Sequence, residues 1–205
     1  MTPLGVIITP PGAVKVSKEL RAALPAKAVV RILRTTELRP GGETTVVYES
    51  GDEFDAEPHV AIVRGNHVVA DFELTALFLD EGVGSSYATF KTAQIQTGGK
   101  QHFLAVFRNI GDGSRTAFAG VVGTKDGYEV DLKEWTTQGR VELLTGGDLR
   151  VWSAEDEGQC TWCPHRYDVS KLRWRNGKLV EISKFKTRKA LDPATIANNP
   201  IVVEK

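Results

Sequence analysis

Short segments in which apolar and polar residues alternate follow one another along most of this chain. Side chains point in turn to opposite faces of a β-strand, so such segments predict strands with one apolar face. Two hairpin strands have the clearest alternation: Tyr128, Val130 and Leu132 alternate with Glu129, Asp131 and Lys133, and Leu172 and Trp174 alternate with Lys171, Arg173 and Arg175. This pattern is typical of antiparallel sheets with one face in water. We therefore predict an all-β fold in which each apolar set shares one face of its strand.

Pairs of adjacent glycines divide the chain into three similar units. Each pair follows one strand-like segment and precedes another, and the pairs are Gly41-Gly42, Gly98-Gly99 and Gly146-Gly147. Each unit also has a tight-turn signal, at Gly65-Asn66, Lys125-Asp126-Gly127 or Arg175-Asn176-Gly177. The units span about residues 28–80, 87–135 and 139–188, and each can contain four short strands. We predict antiparallel meander repeats in a propeller-like arrangement of three four-stranded units. A β-sandwich is the alternative, because any all-β chain contains such glycines and turns.

Both ends of the chain lie outside these units, and residues 1–205 are predicted to form a single domain. The N-terminal segment, 1–27, contains a predicted short helix from Ser17 to Leu24, with Ser17 as the N-cap and Pro25 directly after it. The C-terminal tail, 189–205, has helical spacing near Pro193 to Ala197, whereas Leu74 to Leu79 is compatible with either a helix or a strand.

Composition and charge narrow the classes of function. The chain has 205 residues, with 26 Lys and Arg balanced by 26 Asp and Glu. Nucleic acid is not expected as a partner, because phosphate binding needs a basic excess. No apolar run approaches the ~18 residues that a membrane span needs. The N-terminus lacks the basic and apolar regions of a signal peptide, so we expect either a cytoplasmic protein or an exported one whose signal was removed.

The common catalytic motifs are missing from the sequence. It has no Gly-rich phosphate loop, no His-Glu-x-x-His and no nucleophile elbow, and no catalytic residue, metal site or cofactor is predicted. His67 lies beside a turn and is expected in solvent, His102 is expected to be an ordinary strand residue, and His59 is given no role. The segments Asp52 to Glu57 and Gly111 to Gly113 offer oxygen ligands of the kind that calcium prefers, but neither has the full Asp-x-Asp-x-Asp-Gly pattern. Solvated loops are therefore favoured.

The segment Cys160-Thr161-Trp162-Cys163-Pro164-His165 contains both cysteines of the chain. A redox-active dithiol needs a lowered thiol pKa, and the acidic residues just before this segment would raise that pKa. Zinc prefers four ligands, of which the segment supplies three at most. A structural disulfide between Cys160 and Cys163 needs nothing more. We favour this third interpretation, in which the disulfide fixes the loop before the strand from Asp168 to Trp174.

The end of the chain resembles a class of bacterial exported proteins of unknown function. The resemblance is carried by the Cys-Pro loop at 157–164, by Tyr167, and by Leu172-Arg173-Trp174-Arg175-Asn176-Gly177-Lys178-Leu179-Val180 with its Trp-x-x-Gly turn. Some members of the class are lipoproteins, and some are similar to partial propellers with integrin-like repeats. This chain departs from the class in its Cys-x-x-Cys spacing, where the class has adjacent cysteines, and its first two units lack the Asp-rich calcium loop. The resemblance implies export and a binding or structural role, and it implies no reaction.

We therefore predict an exported, non-catalytic β-domain, periplasmic or at the cell surface, with a binding or structural role. Its candidate ligand-binding residues are Trp162, His165, Arg166 and Tyr167, with both aromatic groups and the histidine expected to be exposed. Aromatic groups on a loop of a rigid sheet suit contacts to a protein, a carbohydrate or another small molecule. The alternative is that Trp162 and Tyr167 only cover the disulfide and the sheet edge.

A second hypothesis belongs to another class: a thiol-dependent or metal-dependent enzyme that uses Cys160, Cys163 and His165. A separate candidate surface is the run from Lys171 to Lys189, which has eight Lys and Arg against one Glu. Such a charged run suits partner contact or self-association, and a solvated strand face is the alternative.

Overall fold

The fold is all-β, as predicted. A computed structural model describes residues 4–8, 14–51, 57–81, 87–97, 100–109, 115–155, 160, 163–175, 178–197 and 201–203. The strands are β1 Leu4–Ile8, β2 Val29–Thr36, β3 Glu43–Ser50, β4 Glu57–Arg64, β5 His67–Glu73, β6 Tyr87–Thr97, β7 Lys100–Asn109, β8 Arg115–Gly123, β9 Tyr128–Thr137, β10 Arg140–Leu143, β11 Leu149–Ala154, β12 Tyr167–Arg175, β13 Lys178–Lys186 and β14 Ile201–Val203. The helical segments are α1 Lys18–Ala23, a 3₁₀ segment Ala76–Glu81 and α2 Pro193–Ala197.

The strands form three sheets in which consecutive strands pair antiparallel. The first sheet has the order β2-β3-β4-β5, the second β1-β6-β7-β8-β9 and the third β13-β12-β11-β10-β14. Each sheet thus contains four consecutive strands that correspond to one predicted unit, and the prediction of three four-stranded antiparallel meanders is confirmed. The terminal segments add strands that the sequence did not predict. β1 pairs antiparallel with β6, and β14 pairs parallel with β10.

The three sheets stack face to face, with the second sheet in the middle. Alternate residues of β7 enter different cores, because side chains alternate across a strand. Phe103 and Phe107 pack against the first sheet, and Leu104 and Val106 pack against the third. Burial on both faces explains why β7 and β8 have almost continuous apolar sequences. This stacking is consistent with a propeller-like or a sandwich arrangement.

Two short helices, α1 and α2, cover the outer faces of the stack, and the 3₁₀ segment lies at the core between the first and second sheets. Ser17 caps α1 as predicted, since its side-chain oxygen accepts a hydrogen bond from the Leu20 amide at 3.2 Å. Leu20 and Leu24 pack on the outer face of the first sheet. The ambiguous segment after β5 forms the 3₁₀ segment, which buries Phe78. Within the described ranges, no helix has both the length and the apolar character of a membrane span.

Two of the glycine pairs lie in hairpin turns. Gly41 and Gly42 connect β2 to β3 with φ values of +103° and +68°, a backbone region that favours glycine. Gly146 and Gly147 connect β10 to β11 in the same region. The predicted turns at Gly65-Asn66 and Lys125–Gly127 are confirmed. The remaining signals lie outside the described residues, namely Gly98-Gly99, Asn176-Gly177, the acidic residues 52–56 and the loop 111–113.

The prediction that Tyr128, Val130 and Leu132 share one face of β9 is wrong. Tyr128 and Val130 enter the core beside the first sheet, whereas Leu132 enters the core beside the third. The cause is a β-bulge: Val121 pairs with Val130 but Gly120 pairs with Leu132, so one residue of β9 is extra. Gly120 leaves room for this arrangement, because a Cβ there would lie 2.8 Å from the Leu132 Cβ. The prediction for β12 is confirmed, since Leu172 and Trp174 both pack at the core beside the second sheet.

Candidate functional site

Cys160 and Cys163 are connected to each other just before β12. The sulfur atoms of Cys160 and Cys163 lie at disulfide-bond distance, and their Cα atoms are 5.3 Å apart. The Cys163 amide donates a hydrogen bond of 3.0 Å to the Cys160 carbonyl oxygen. Neither cysteine is a free thiol. The predicted structural disulfide therefore has the geometry that it requires.

The predicted ligand-binding residues do not form one exposed group. His165 is buried and exchanges two backbone hydrogen bonds with Leu191, at 2.9 and 2.7 Å. Tyr167 is fully buried, packed beside Val169 and Ile196. The expectation that His165 and Tyr167 are exposed is wrong, because residues 191–196 fold back over this part of the sheet. Arg166 is exposed, and Trp162 lies outside the described residues.

Three potential metal ligands converge at one end of the first sheet. Glu57, His59 and Glu73 each bring one ligand atom to within 4.8 Å of the other two. Glu57 and His59 are two residues apart on β4 and therefore share a face, and Glu73 is the direct cross-strand partner of His59. Thr75 donates a hydrogen bond to Glu73 Oε1 at 3.2 Å, which leaves Oε2 for another partner. Glu57 is exposed, and His59 and Glu73 are half-buried.

A second layer of polar contacts fixes the imidazole of His59. Its Nδ1 lies 3.1 Å from Asp71 Oδ1, and Tyr48 donates a 2.5 Å hydrogen bond to Asp71 Oδ2. The Tyr48 ring stacks on the imidazole with centroids 4.7 Å apart and planes inclined by 13°. Burial, with a smaller effect of Asp71, raises the pKa of Tyr48 well above its ordinary value, so Tyr48 remains a donor. Both Asp71 oxygens are therefore engaged.

A separate histidine–aspartate pair lies between the second and third sheets. His102 is fully buried, with Nε2 3.0 Å from Asp131 Oδ2 and Nδ1 3.3 Å from the Lys100 carbonyl oxygen. Its ring contacts Trp174 edge-on at 5.2 Å. His102 lies in a strand as predicted, but its charged partner was not predicted. The pair is enclosed by both sheets, so it stabilises their contact and offers no site to a ligand.

The third sheet exposes a basic edge, which we define as Val180, Lys184, Phe185, Lys186, Arg188 and Lys189. β13 is an edge strand of its sheet. Phe185 and Val180 are among the most exposed large apolar side chains, at 53 % and 41 %. Lys184 and Lys186 form ion pairs with Asp168 and Glu155, respectively.

The neighbouring strand is held by a charged contact. Arg173 donates two hydrogen bonds to Asp148, at 2.9 and 2.8 Å, and Lys171 lies 3.0 Å from the same carboxylate. The hydrogen bonds from Arg173, with a smaller one from Lys171, lower the pKa of Asp148 to about 2, although burial acts in the opposite direction. This contact ties the turn between β10 and β11 to β12.

The fold and these sites define an all-β protein of three stacked antiparallel sheets. Comparison of the chain with protein-family models, curated proteins and solved structures finds no match. Function must therefore be argued from the residues themselves.

Sequence reasoning missed the cluster around His59. A partial signal was present, because Glu57 and His59 are spaced by two in the sequence, as are Asp71 and Glu73. The spacing along the sequence does not indicate the register between β4 and β5. A two-residue turn at Gly65-Asn66 would by simple counting place an apolar residue opposite His59, and the observed register shift places Glu73 there instead.

Proposed function

We propose that this protein is an exported, non-catalytic β-domain that binds an acidic segment of a partner protein through the basic edge of its third sheet. The observation that carries the proposal is the composition of β13. On this edge strand the exposed aromatic residue Phe185 lies between Lys184 and Lys186, and Arg188 and Lys189 lie just after the end of the strand. Aromatic and arginine residues supply much of the affinity of protein interfaces.

The register of the third sheet places the apolar members of the basic edge on one face. Phe185 pairs with Val169 and Val180 pairs with Arg173, and both partners lie on the face that points away from the second sheet. Arg188 and Lys189 lie just beyond the end of this strand, after Thr187, and form no ion pair within the described residues. These two cations are therefore available to acidic groups of a partner.

The backbone of β13 supports the same proposal. On one side it pairs with β12, and its other side is an edge of the sheet. Such an edge can pair with an extended peptide, whose backbone gives affinity and whose side chains give specificity. Arg166 belongs to the same region, because the adjacent Tyr167 exchanges two hydrogen bonds with Thr187, at 2.9 and 3.0 Å. Of the predicted ligand-binding residues, we therefore keep Arg166.

Export is supported by the cysteine pair, because structural disulfides persist in oxidising compartments. The resemblance to bacterial exported proteins points the same way. Alkylation of the folded protein separates this proposal from the thiol-enzyme hypothesis. We expect no modified thiol until the protein is reduced and unfolded, whereas rapid alkylation of Cys160 or Cys163 in the native protein would favour the enzyme.

Fluorescence polarisation with labelled poly-L-glutamate tests the binding surface. We expect binding that weakens as salt is added, because exposed charges are screened. Phe185→Ser and the double variant Arg188→Glu, Lys189→Glu should each weaken binding at least about tenfold. Val29→Ser is the matched control, since Val29 is also an exposed apolar residue on an edge strand, at 38 %, but belongs to the first sheet.

Four results would contradict the proposal. Poly-L-glutamate could fail to bind, or Val29→Ser could weaken binding as much as Phe185→Ser does. Binding of heparin without binding of poly-L-glutamate would indicate an acidic polysaccharide as the partner instead. If the variants cause the protein to associate with itself and leave poly-L-glutamate binding unchanged, the lysines only protect the edge from strand–strand association.

A further inference from the structure

The cluster of Glu57, His59 and Glu73 has the composition of a transition-metal site. An imidazole nitrogen and two carboxylates are ligands that Zn²⁺ takes in proteins. Tetrahedral Zn²⁺ with bonds of ~2.1 Å holds its ligand atoms roughly 3.4 Å apart. The ligand atoms here lie within 4.8 Å of one another, so small side-chain rotations bring them to that spacing. Calcium prefers six to eight oxygen ligands, and these three residues do not supply such a set.

The contacts behind His59 supply a second and independent observation. A carboxylate only accepts hydrogen bonds, so the contact with Asp71 places the imidazole hydrogen on Nδ1 and leaves the lone pair on Nε2. Metal-binding histidines are commonly oriented by a carboxylate in this way. Asp71 is itself held by the buried hydroxyl of Tyr48, whose ring also packs against the imidazole. The orientation of His59 is thus fixed before any ion binds.

The charge of the cluster also favours a cation. In the part of the chain that the structure describes, neither Glu57 nor Glu73 forms an ion pair with a basic side chain. A divalent ion bound by both carboxylates would connect the end of β5 to the start of β4.

We propose that Glu57, His59 and Glu73 bind a divalent transition-metal ion of the zinc type, with Asp71 as the positioning residue for His59. Three protein ligands leave a fourth position of a tetrahedral ion open. Glu57 is the exposed member of the set, so this position lies toward solvent. The proposal does not depend on the basic edge, which belongs to another sheet.

Equilibrium dialysis of the oxidised, EDTA-treated protein against Zn²⁺ tests the site. We expect one Zn²⁺ per chain. Glu57→Gln and Glu73→Gln should each weaken the affinity at least about tenfold, and Asp71→Asn should weaken it about tenfold through the orientation of His59. Glu57 is exposed, so its substitution leaves folding intact and keeps the test informative even if another variant unfolds.

Control variants and a spectroscopic probe make the outcome specific. His67→Asn and Glu181→Gln change exposed residues of the same types and should leave Zn²⁺ uptake unchanged. Replacement of Cys160 and Cys163 by Ser should also leave it unchanged. Co²⁺ should give d–d absorption without thiolate-to-cobalt charge transfer, as expected for nitrogen and oxygen ligands.

The proposal is overturned if the protein binds no stoichiometric Zn²⁺. It is also overturned if Glu57→Gln and Glu73→Gln bind Zn²⁺ as tightly as the original chain. Loss of uptake in the cysteine variant alone would place the ion at the cysteine segment, which contradicts the proposal in the same way.

Discussion

Asp148 anchors the turn between β10 and β11 to β12, and its replacement should make stability depend less on pH. The change is Asp148→Asn, which keeps the size of the side chain and removes its charge. Asp148 is only 6 % exposed and accepts both hydrogen bonds of the Arg173 guanidinium. The variant leaves this guanidinium and Lys171 without their carboxylate, so we expect a lower free energy of unfolding.

The magnitude follows from the pKa of the carboxylate. In the folded protein this pKa is lowered from 3.8 to about 2, and each pKa unit corresponds to about 1.4 kcal/mol. The full shift would contribute about 2.5 kcal/mol. Because the Arg173 side chain is 46 % exposed, solvent screening reduces the contribution, and we expect about 1–2 kcal/mol. The folded-state pKa is depressed, so this contribution is present above 3.8 and is lost as pH falls toward 2.

Urea unfolding of the original chain and of Asp148→Asn, from about pH 2 to pH 7, measures the effect. Asp148→Asn should be less stable than the original chain by about 1–2 kcal/mol near pH 7, and the difference should shrink as pH approaches 2. Glu181→Gln, an exposed carboxylate on β13, is the control and should change stability little at either pH. A difference that is equal at both ends of the pH range would refute the electrostatic explanation, and so would no difference at all.

Three other predictions concern stability. Reduction of the disulfide should keep the strand signal in circular dichroism and lower the melting temperature by only a few degrees, because closing a four-residue loop contributes about 2 kcal/mol; loss of the strand signal would contradict this. Gly139→Ala should destabilise the protein by about 1–3 kcal/mol or more in urea unfolding, since a Cβ there would lie 1.7 Å from a carbonyl oxygen of β11. Gly127→Ala should be tolerated, because a Cβ at that position would have no atom within 4 Å. Tyr48→Phe should lower the free energy of unfolding by about 1–2 kcal/mol in the same measurement, because it removes a hydrogen bond to a carboxylate. Tyr128→Phe should lower it little, because the Tyr128 hydroxyl has no hydrogen-bond partner among the described residues. Equal losses of stability in the two variants would contradict the role given to Tyr48.

Local signals predicted most of the architecture correctly. Alternation of apolar and polar residues indicated strands, and glycine-rich turns indicated their ends. Both signals act within a few residues, so they can be recognised without knowing the fold. The N-cap at Ser17 and the pairing of Cys160 with Cys163 belong to the same category, because the interacting groups are three residues apart.

Predictions about exposure failed where distant segments meet. His165 and Tyr167 have polar neighbours in the sequence and were expected in solvent. They are buried because Leu191 pairs with His165 and Ile196 packs beside Tyr167. The position of the tail that covers them depends on contacts with the folded third sheet. Sequence patterns close to either residue do not predict those contacts.

Sequence patterns are sufficient to predict the class of fold, the four-stranded units and most of the turns, because strand alternation and turn chemistry are local. Which polar residues meet depends on how the strands pair and how the sheets pack. A register shift in the β4–β5 hairpin places Glu73 opposite His59, and a bulge in β9 brings Asp131 to His102 and turns Leu132 to the other core. Side chains repeat every two residues along a strand, so a shift of one residue exchanges the faces of all residues beyond it. Where such a shift occurs depends on packing between whole sheets.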